Sequence, residues 1–403
     1  MSLIANVVHI SLNARGGAER LAVVTIKALR SMGIDVELET VEKPDMALIT
    51  KAYGESAGLD IKKINRLDLL RKDKDQQHDL TINTHGDMLP YFRENFTKKN
   101  SIVYCHYPIV VNRMDPSDPT YPNTLHNMCF SGYPLEYSMK FFARARSSYW
   151  KMMKNSTVLT NSEFSRESIF QEFGVDSTVI PPPVDVDTFR DAALSSDARS
   201  DSVLVVSRFH PSKKLKNAIR LAKLLKQNKI CKYVTIAGNM SPADSAYFNH
   251  LNNLVTQLGL GDFVKFEVNV NLERLIELMR VAKVYFHPMP GEPFGISTVE
   301  AMSAGLIPVV PDIGGHAEFV PSKYHFNSLD QAVEVVARAL DAPESERMQI
   351  SHSTQKYSTA SYVKKFQQTV TEVLDLNKPI QNAPILVSRM DLEQMTGTNS
   401  LKT

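Results

Sequence analysis

The chain has 403 residues, 43% of them hydrophobic and 22% charged, which is enough for two buried cores in a globular protein. A formal net charge of only +2 excludes a global electrostatic field for nucleic acid, and no nucleic-acid partner is expected. The three cysteines, Cys105, Cys129 and Cys231, lie far apart without CxxC or zinc spacing, so the expectation is a reduced, cytoplasmic chain.

The opening "MSLIANVVHISLNARGG" lacks the basic start and long apolar run of a signal peptide. No stretch reaches the roughly 20 apolar residues that cross a bilayer. Any membrane contact is therefore expected to be peripheral.

"ANVVHISL" (Ala5 to Leu12) reads as a buried strand. The loop "NARGG" follows, then a helix from Ala18 to Met32 with Leu21, Val24, Ala28 and Leu29 on its apolar face and Gly33 at its carboxyl end. "DVELETV", "DLTINTH", "NSIVYCHYP", "STVLTNS" and "STVIPPP" continue as short apolar runs with helical stretches among them. Strands alternating with helices argue a parallel, doubly wound sheet.

Pro181 to Pro183 and the polar "SSDARSDS" mark the boundary between two domains. A second alternating series starts at "SVLVVSRF" and runs through "YVTIAG", "FVKFEV", "KVYFHPM" and "IPVVP". The predicted organisation is α/β: a Rossmann-like domain over 1–195, a second over 196–355, a helix over 356–376 returning to the first domain, and a flexible tail over 377–403. Ligands on such sheets bind at the carboxyl ends of strands, so the cleft between the domains is the expected site.

"GEPFGISTVE" (Gly291 to Glu300) places a glutamate on each side of a glycine between a strand and a helix. Backbone N–H groups from Gly295 to Ser297 and the helix dipole make an anion site there. Glu292 and Glu300 accept hydrogen bonds from hydroxyls, so the fitting ligand carries a diphosphate beside sugar or ribose. The bland alternative is a capping box, with Ser297 as N-cap and Glu300 reaching back. Arg208 and Lys213, in "VSRFHPSKK" at a strand's carboxyl end, are cations placed to clamp phosphates; their alternative is ordinary surface charge. Gly16 and Gly17 form a glycine pair at the first strand–helix turn, without the GxGxxG spacing of a dinucleotide fold.

"GEPFGISTVEAMSAGLIPVV", "DIGGHAEFV", "SRFHPSKK", "PPPVDVDTF" and "GGAER", in collinear order from Gly16 to Val320, resemble glycosyltransferase family 4. The resemblance implies a GT-B fold, two Rossmann-like domains facing each other across a cleft, and sugar transfer with retention. It implies that Glu292 contacts the donor sugar and that Phe294, Gly295, Ile296 and Ser297 bind diphosphate and sugar. Glu300 would hold the ribose, Arg208 and Lys213 the diphosphate, and Gly16 and Gly17 would face donor and acceptor. "IVYCHYP", "NSEFSRESI" and "FEVNVNLERLIELM" are similar to the GDP-mannose-dependent mannosyltransferases of lipid-linked oligosaccharide assembly. On that likeness His106 lies near the donor sugar; its alternative is a core histidine at a strand end. The implied chemistry is hexosyl transfer to a glycan or polyprenyl-linked saccharide. A UDP-sugar transferase and a non-catalytic nucleotide-sugar-binding subunit are the rival readings.

One departure is His316, where the family often has proline after the double glycine. No metal or other cofactor is expected; "DVD" at Asp185 to Asp187 imitates a metal motif of a different transferase fold. "PLEYSMKFFARARSSYWKMMK" (134–154) interleaves apolar Leu135, Met139, Phe142, Tyr149 and Met153 with Lys140, Arg144, Lys151 and Lys154. Such a basic amphipathic helix fits either an anionic membrane surface or its own domain.

Overall fold

The computed structural model describes residues 2–13, 16–53, 59–66, 78–86, 100–108, 147–193 and 199–375. The amino-terminal part begins with β1 (Ile4–Val8), α1 (Gly17–Ser31), β2 (Asp35–Thr40), α2 (Met46–Tyr53), β3 (Lys63–Arg66), β4 (Leu80–Asn83) and β5 (Ser101–Cys105). It continues through β6 (Thr157–Thr160), α3 (Glu163–Phe173), β7 (Thr178–Val179) and α4 (Val186–Ala193). Its strands form a sheet of order β3-β2-β1-β4-β5-β6-β7 with parallel pairings throughout. The first strand starts one residue before the expected Ala5–Leu12 and ends four residues before it, at Val8, so His9 to Leu12 belong to the loop.

The carboxyl-terminal part holds β8 (Ser200–Val206), α5 (Leu215–Gln227), β9 (Tyr233–Gly238), α6 (Ser245–Gln257), β10 (Val264–Val268), α7 (Leu272–Val281) and β11 (Ala282–Phe286). After these come α8 (Ile296–Ser303), β12 (Ile307–Pro311), β13 (His325–Phe326), α9 (Leu329–Leu340), α10 (Glu344–Ser353) and α11 (Thr359–Asp375). Its parallel sheet has the order β10-β9-β8-β11-β12-β13. The order reverses beside β8, so the loops after β8 and β11 open at a topological switch point, where such sheets bind ligands.

Each sheet has its own core. Val203, Val205, Ile236, Val284 and Phe286 pack against Leu221, Leu225, Val335 and Val336 in the carboxyl-terminal part. Val7, Ile82, Ile102 and Leu159 pack against Leu21, Leu29, Tyr362, Phe366 and Val370 in the amino-terminal one. The last helix, α11, therefore lies on the first sheet's layer, and its Tyr362 hydroxyl meets Thr25 Oγ1 of α1 at 2.7 Å. The helical spacing of Tyr362, Phe366, Val370 and Val373 explains this placement, since all four side chains fall on one buried stripe.

Of the basic stretch 134–154, residues 147–154 are described and helical. Tyr149 and Met153 are buried against Phe173 and Ile169 of α3, while Lys151 and Lys154 are exposed. Leu135, Met139, Lys140, Phe142 and Arg144 lie outside the described residues, as do Cys129 and the tail 377–403. Among the described residues no helix is long and apolar enough to cross a membrane.

Candidate functional site

The turn between β11 and α8 is built on Gly295, whose backbone takes a left-handed conformation at φ 95°. A side chain there would be strained, and Gly295 itself is the N-cap of α8, without a side-chain cap. Helix hydrogen bonding starts with Thr298 N–H and Val299 N–H, both donating to Gly295 O. The Ile296 and Ser297 amides thus stand at the helix entrance with no acceptor among the described residues. This corrects the capping-box alternative. Ser297 sits inside the first turn, and its Oγ lies 2.9 Å from the Tyr285 hydroxyl instead.

The approach to the turn is held from behind. Gly291 N–H donates to Ile313 O at 2.9 Å, and Gly315 N–H to Glu292 O at 2.8 Å. Phe294 is buried, with its ring centre 5.3 Å from Phe319 and 5.5 Å from Tyr357. It is the apolar peg that seats the turn rather than an open ligand surface.

The Glu292 carboxylate meets Lys213 Nζ at 2.9 Å and stands 3.4 Å from His287 Nε2. Burial alone would raise this carboxyl. The Lys213 ammonium and His287 outweigh it and hold Glu292 well below the usual carboxylate range. Lys213 closes a 3-10 turn, Pro211–Lys213, just after β8, and this turn is capped where Ser212 N–H donates to His210 Nδ1. Arg208, at the end of the same strand, is exposed, and its side chain has no hydrogen-bond or ion-pair partner among the described residues. The result is a neutralised pair, Lys213–Glu292, and an Arg208 side chain without a partner among the described residues.

Glu300, one helical turn beyond Ile296, is half-buried. Burial raises its carboxyl to about 7; Arg20 of the amino-terminal part opposes the shift and Asp185 adds to it.

Tyr285 and His287 escape sequence reasoning, and so does the role of His316. The Tyr285 hydroxyl joins Ser297 Oγ to His287 Nδ1, 3.1 Å away, so a buried polar line runs from Ser297 through Tyr285 and His287 to Glu292. The only sequence signal was alternation in "KVYFHPM", which tells which side chains share a face but not that two of them reach a turn ten residues on. His316 is fully buried, donates from Nε2 to Pro311 O at 3.0 Å, and lies 5.0 Å between ring centres from His287. Burial first, then His287, push His316 down to about 3, so it is a neutral wedge behind the glutamate.

The two parts meet at this turn. An added Cβ on Gly17 would come within 2.4 Å of Ile296 Cδ1, so the start of α1 lies directly against the start of α8 and a larger residue there would have to turn the Ile296 side chain aside. Ser162 Oγ donates to Pro293 O at 2.6 Å, and the Glu318 carboxylate accepts from Glu163 N–H at 3.1 Å and Phe164 N–H at 2.6 Å, at the start of α3. His106 follows β5, half-buried, with Nε2 3.3 Å from Thr84 O. Among the described residues neither its ring nor the Arg208 guanidinium hydrogen-bonds to the turn. The structure therefore pairs Lys213 with Glu292 and brings Gly17 against Ile296 at the Gly295 turn. Among the described residues no group of three or more His, Cys, Asp or Glu is arranged to hold a metal ion. Asp187 of the "DVD" stretch pairs with Arg190.

A protein-family model describing the group 1 glycosyl transferases matches residues 187–356. The chain carries a group 1 glycosyl transferase domain. Around that domain the two facing parallel sheets give the whole chain a GT-B fold. The structure of Anabaena HepE in complex with UDP matches it with a TM-score of 0.62 at 15% identity, over 93% of this chain and 100% of that one. Two proteins called GDP-Man:Man(3)GlcNAc(2)-PP-Dol alpha-1,2-mannosyltransferase are similar in sequence. The Dictyostelium discoideum one is 33% identical over 37% of this chain and 31% of its own length. The Homo sapiens one is 30% identical over 49% of this chain and 44% of its own length. The matched stretches thus span less than half of either relative. The transferase domain contains Lys213, Arg208, the Gly295 turn and Glu300, while Gly16, Gly17 and His106 lie before it.

Proposed function

We propose that the protein is a retaining glycosyltransferase that moves mannose from GDP-mannose, in α-linkage, onto a lipid-linked saccharide. The observation that carries this reading is the helix entrance at Ile296–Ser297, two open amides a few residues beyond Glu292, which pairs with Lys213; Arg208 has no side-chain partner among the described residues. A diphosphate fits the amides and the helix dipole, and Arg208 supplies further positive charge. The donor and acceptor classes are supported by the names of the similar mannosyltransferases.

In this reading the bond between the sugar's anomeric carbon and the diphosphate oxygen breaks, and the acceptor oxygen bonds to the same face of that carbon. The acceptor's proton ends on the departing diphosphate. The chain's own work is electrostatic and positional. The Ile296 and Ser297 amides, Arg208 and Lys213 hold the charge that develops on the leaving group, and loss of one such donor typically costs about 3 to 4 kcal/mol of barrier. Lys213 and His287 favour the ionised form of Glu292, which accepts hydrogen bonds from sugar hydroxyls. Glu300 faces the ribose side, and His106 the sugar from the opposite domain. An acceptor on a polyprenyl lipid would place the enzyme peripherally on a membrane.

Titration calorimetry with GDP-mannose, UDP-glucose and UDP-N-acetylglucosamine tests the donor. Tight binding of GDP-mannose alone, followed by mannosyl transfer to a dolichol-linked oligosaccharide, is the expected result. A preference for a UDP-sugar would replace it with the second reading, which the UDP complex of the Anabaena structure favours. Binding without turnover would mark a subunit that only holds nucleotide sugar.

A further inference from the structure

The amino-terminal part holds a buried polar chain that the transfer reaction, as read above, does not use. β1, β4 and β5 are neighbours in the sheet, and each ends in a histidine or reaches one within two residues: His9, His85 and His106. Glu19, in the first turn of α1, is 7% exposed and reaches back so that Gly16 N–H donates to its Oε2 at 2.6 Å. Its other oxygen stands 3.8 Å from Nε2 of the fully buried His9. His9 Nδ1 lies 2.9 Å from Thr84 Oγ1. That hydroxyl spends its single proton on Val8 O, so it accepts from His9 Nδ1–H. Thr84 also presents its carbonyl to His106 Nε2 at 3.3 Å. The His85 ring, which follows Thr84, stacks on His9 at 4.6 Å between ring centres and stands edge-on to His106 at 6.3 Å.

We propose that Glu19, His9 and Thr84 are positioning residues that tie the Gly16–Gly17 loop to His106. This rests on the functional reading above, because it gives both ends a task. The loop end meets the donor turn, where Gly17 lies against Ile296. The other end is the histidine that faces the sugar. Moving either end by about 1 Å can cost on the order of 100-fold in rate, so a rigid buried link between them has a function that packing alone does not supply. Burial would raise the Glu19 carboxyl, yet the neighbouring His9 and the Gly16 N–H bring it down to about 2. Burial lowers His85 to about 3, with His9 and His106 adding to the shift, so the stacked ring stays neutral between them.

The test uses the full chain labelled with 15N-glycine and three variants. Thr84→Val removes the hydroxyl at nearly constant shape, Thr84→Ser keeps it, and Glu19→Gln keeps an acceptor for Gly16. Without any donor, the Gly16 amide resonance is expected to move in Thr84→Val, although residue 84 does not touch Gly16, and to stay in place in Thr84→Ser. With GDP-mannose and acceptor, Thr84→Val should lose about 10- to 100-fold in kcat with KM changed less than about threefold. Thr84→Ser and Glu19→Gln should recover most of that loss. A Gly16 resonance unmoved by Thr84→Val overturns the link, as does a Thr84→Val enzyme with full turnover. If no variant or wild type turns over GDP-mannose while the resonance still moves, the link stands and the donor assignment fails.

Discussion

Replacing Lys213 by methionine removes the charge beside Glu292 and keeps most of the aliphatic stem. At 2.9 Å and an effective dielectric near 20 the gross attraction between the two ions is about 6 kcal/mol. Desolvation takes back much of it, and truncating one partner of a buried pair costs about 3 to 5 kcal/mol because the other charge stays behind. The side chains are 22% and 14% exposed, so solvent screening moves the figure to the low end, about 2 to 3 kcal/mol. For a domain of this size that is a fall of about 4 to 12 °C in Tm. The pH dependence has a fixed sign. Glu292 has a depressed carboxyl in the fold, so the stability it contributes is present above the unfolded value near 4.3 and lost as pH falls toward the lower folded value. Lys213→Met should therefore be most destabilising at neutral pH and approach the wild type near pH 2. Calorimetric unfolding of Lys213→Met, Glu292→Gln and the double variant gives the coupling directly, expected at about 2 kcal/mol. A coupling below about 0.5 kcal/mol at pH 7, or a penalty independent of pH, would refute the claim that the two form a buried ionic unit.

Glu300 titrates in the opposite sense: its raised folded value means that stability is full below about pH 4.3 and declines as pH rises through about 7. Urea unfolding across pH should show that decline in the wild type and not in Glu300→Gln, with Asp185→Asn moving the inflection downward. Gly17→Ala should weaken nucleotide-sugar binding by forcing Ile296 aside, and Ile296→Val should restore part of it; equal affinity in Gly17→Ala and wild type by calorimetry contradicts the contact. Glu318→Ala leaves two amide donors at the start of α3 without their acceptor and should open the cleft, seen as an increased radius of gyration by small-angle scattering. An unchanged scattering profile means the carboxylate does not hold the parts together.

Much of the fold was legible because buried parallel strands are continuous apolar runs, as in "SVLVVSRF" and "IPVVP", each followed by a helical period. β3 was not, because "KINR" is an exposed edge strand whose charged residues break any apolar run. The turn at Gly295 was legible as a turn because a glycine between strand and helix has one economical explanation, the left-handed backbone it takes there. Its start was not: "STVE" also spells a capping box, and only the tertiary bond from Tyr285 to Ser297 decides against it. The commitment of Lys213 to Glu292 was hidden as well, since the pair joins residues 79 apart in sequence. The histidine line from His9 to His106 is invisible for the same reason, since strand order rather than chain order brings those residues together.

The central claim is that a nucleotide diphosphate sits on the Ile296 and Ser297 amides between Lys213 and Arg208. A crystal structure of the full chain with GDP tests it most directly. The account predicts both phosphates within hydrogen-bond distance of those amides, with the Arg208 guanidinium drawn onto them and the ribose toward Glu300. Diphosphate bound elsewhere, with the amides still open and Arg208 still in solvent, would contradict it.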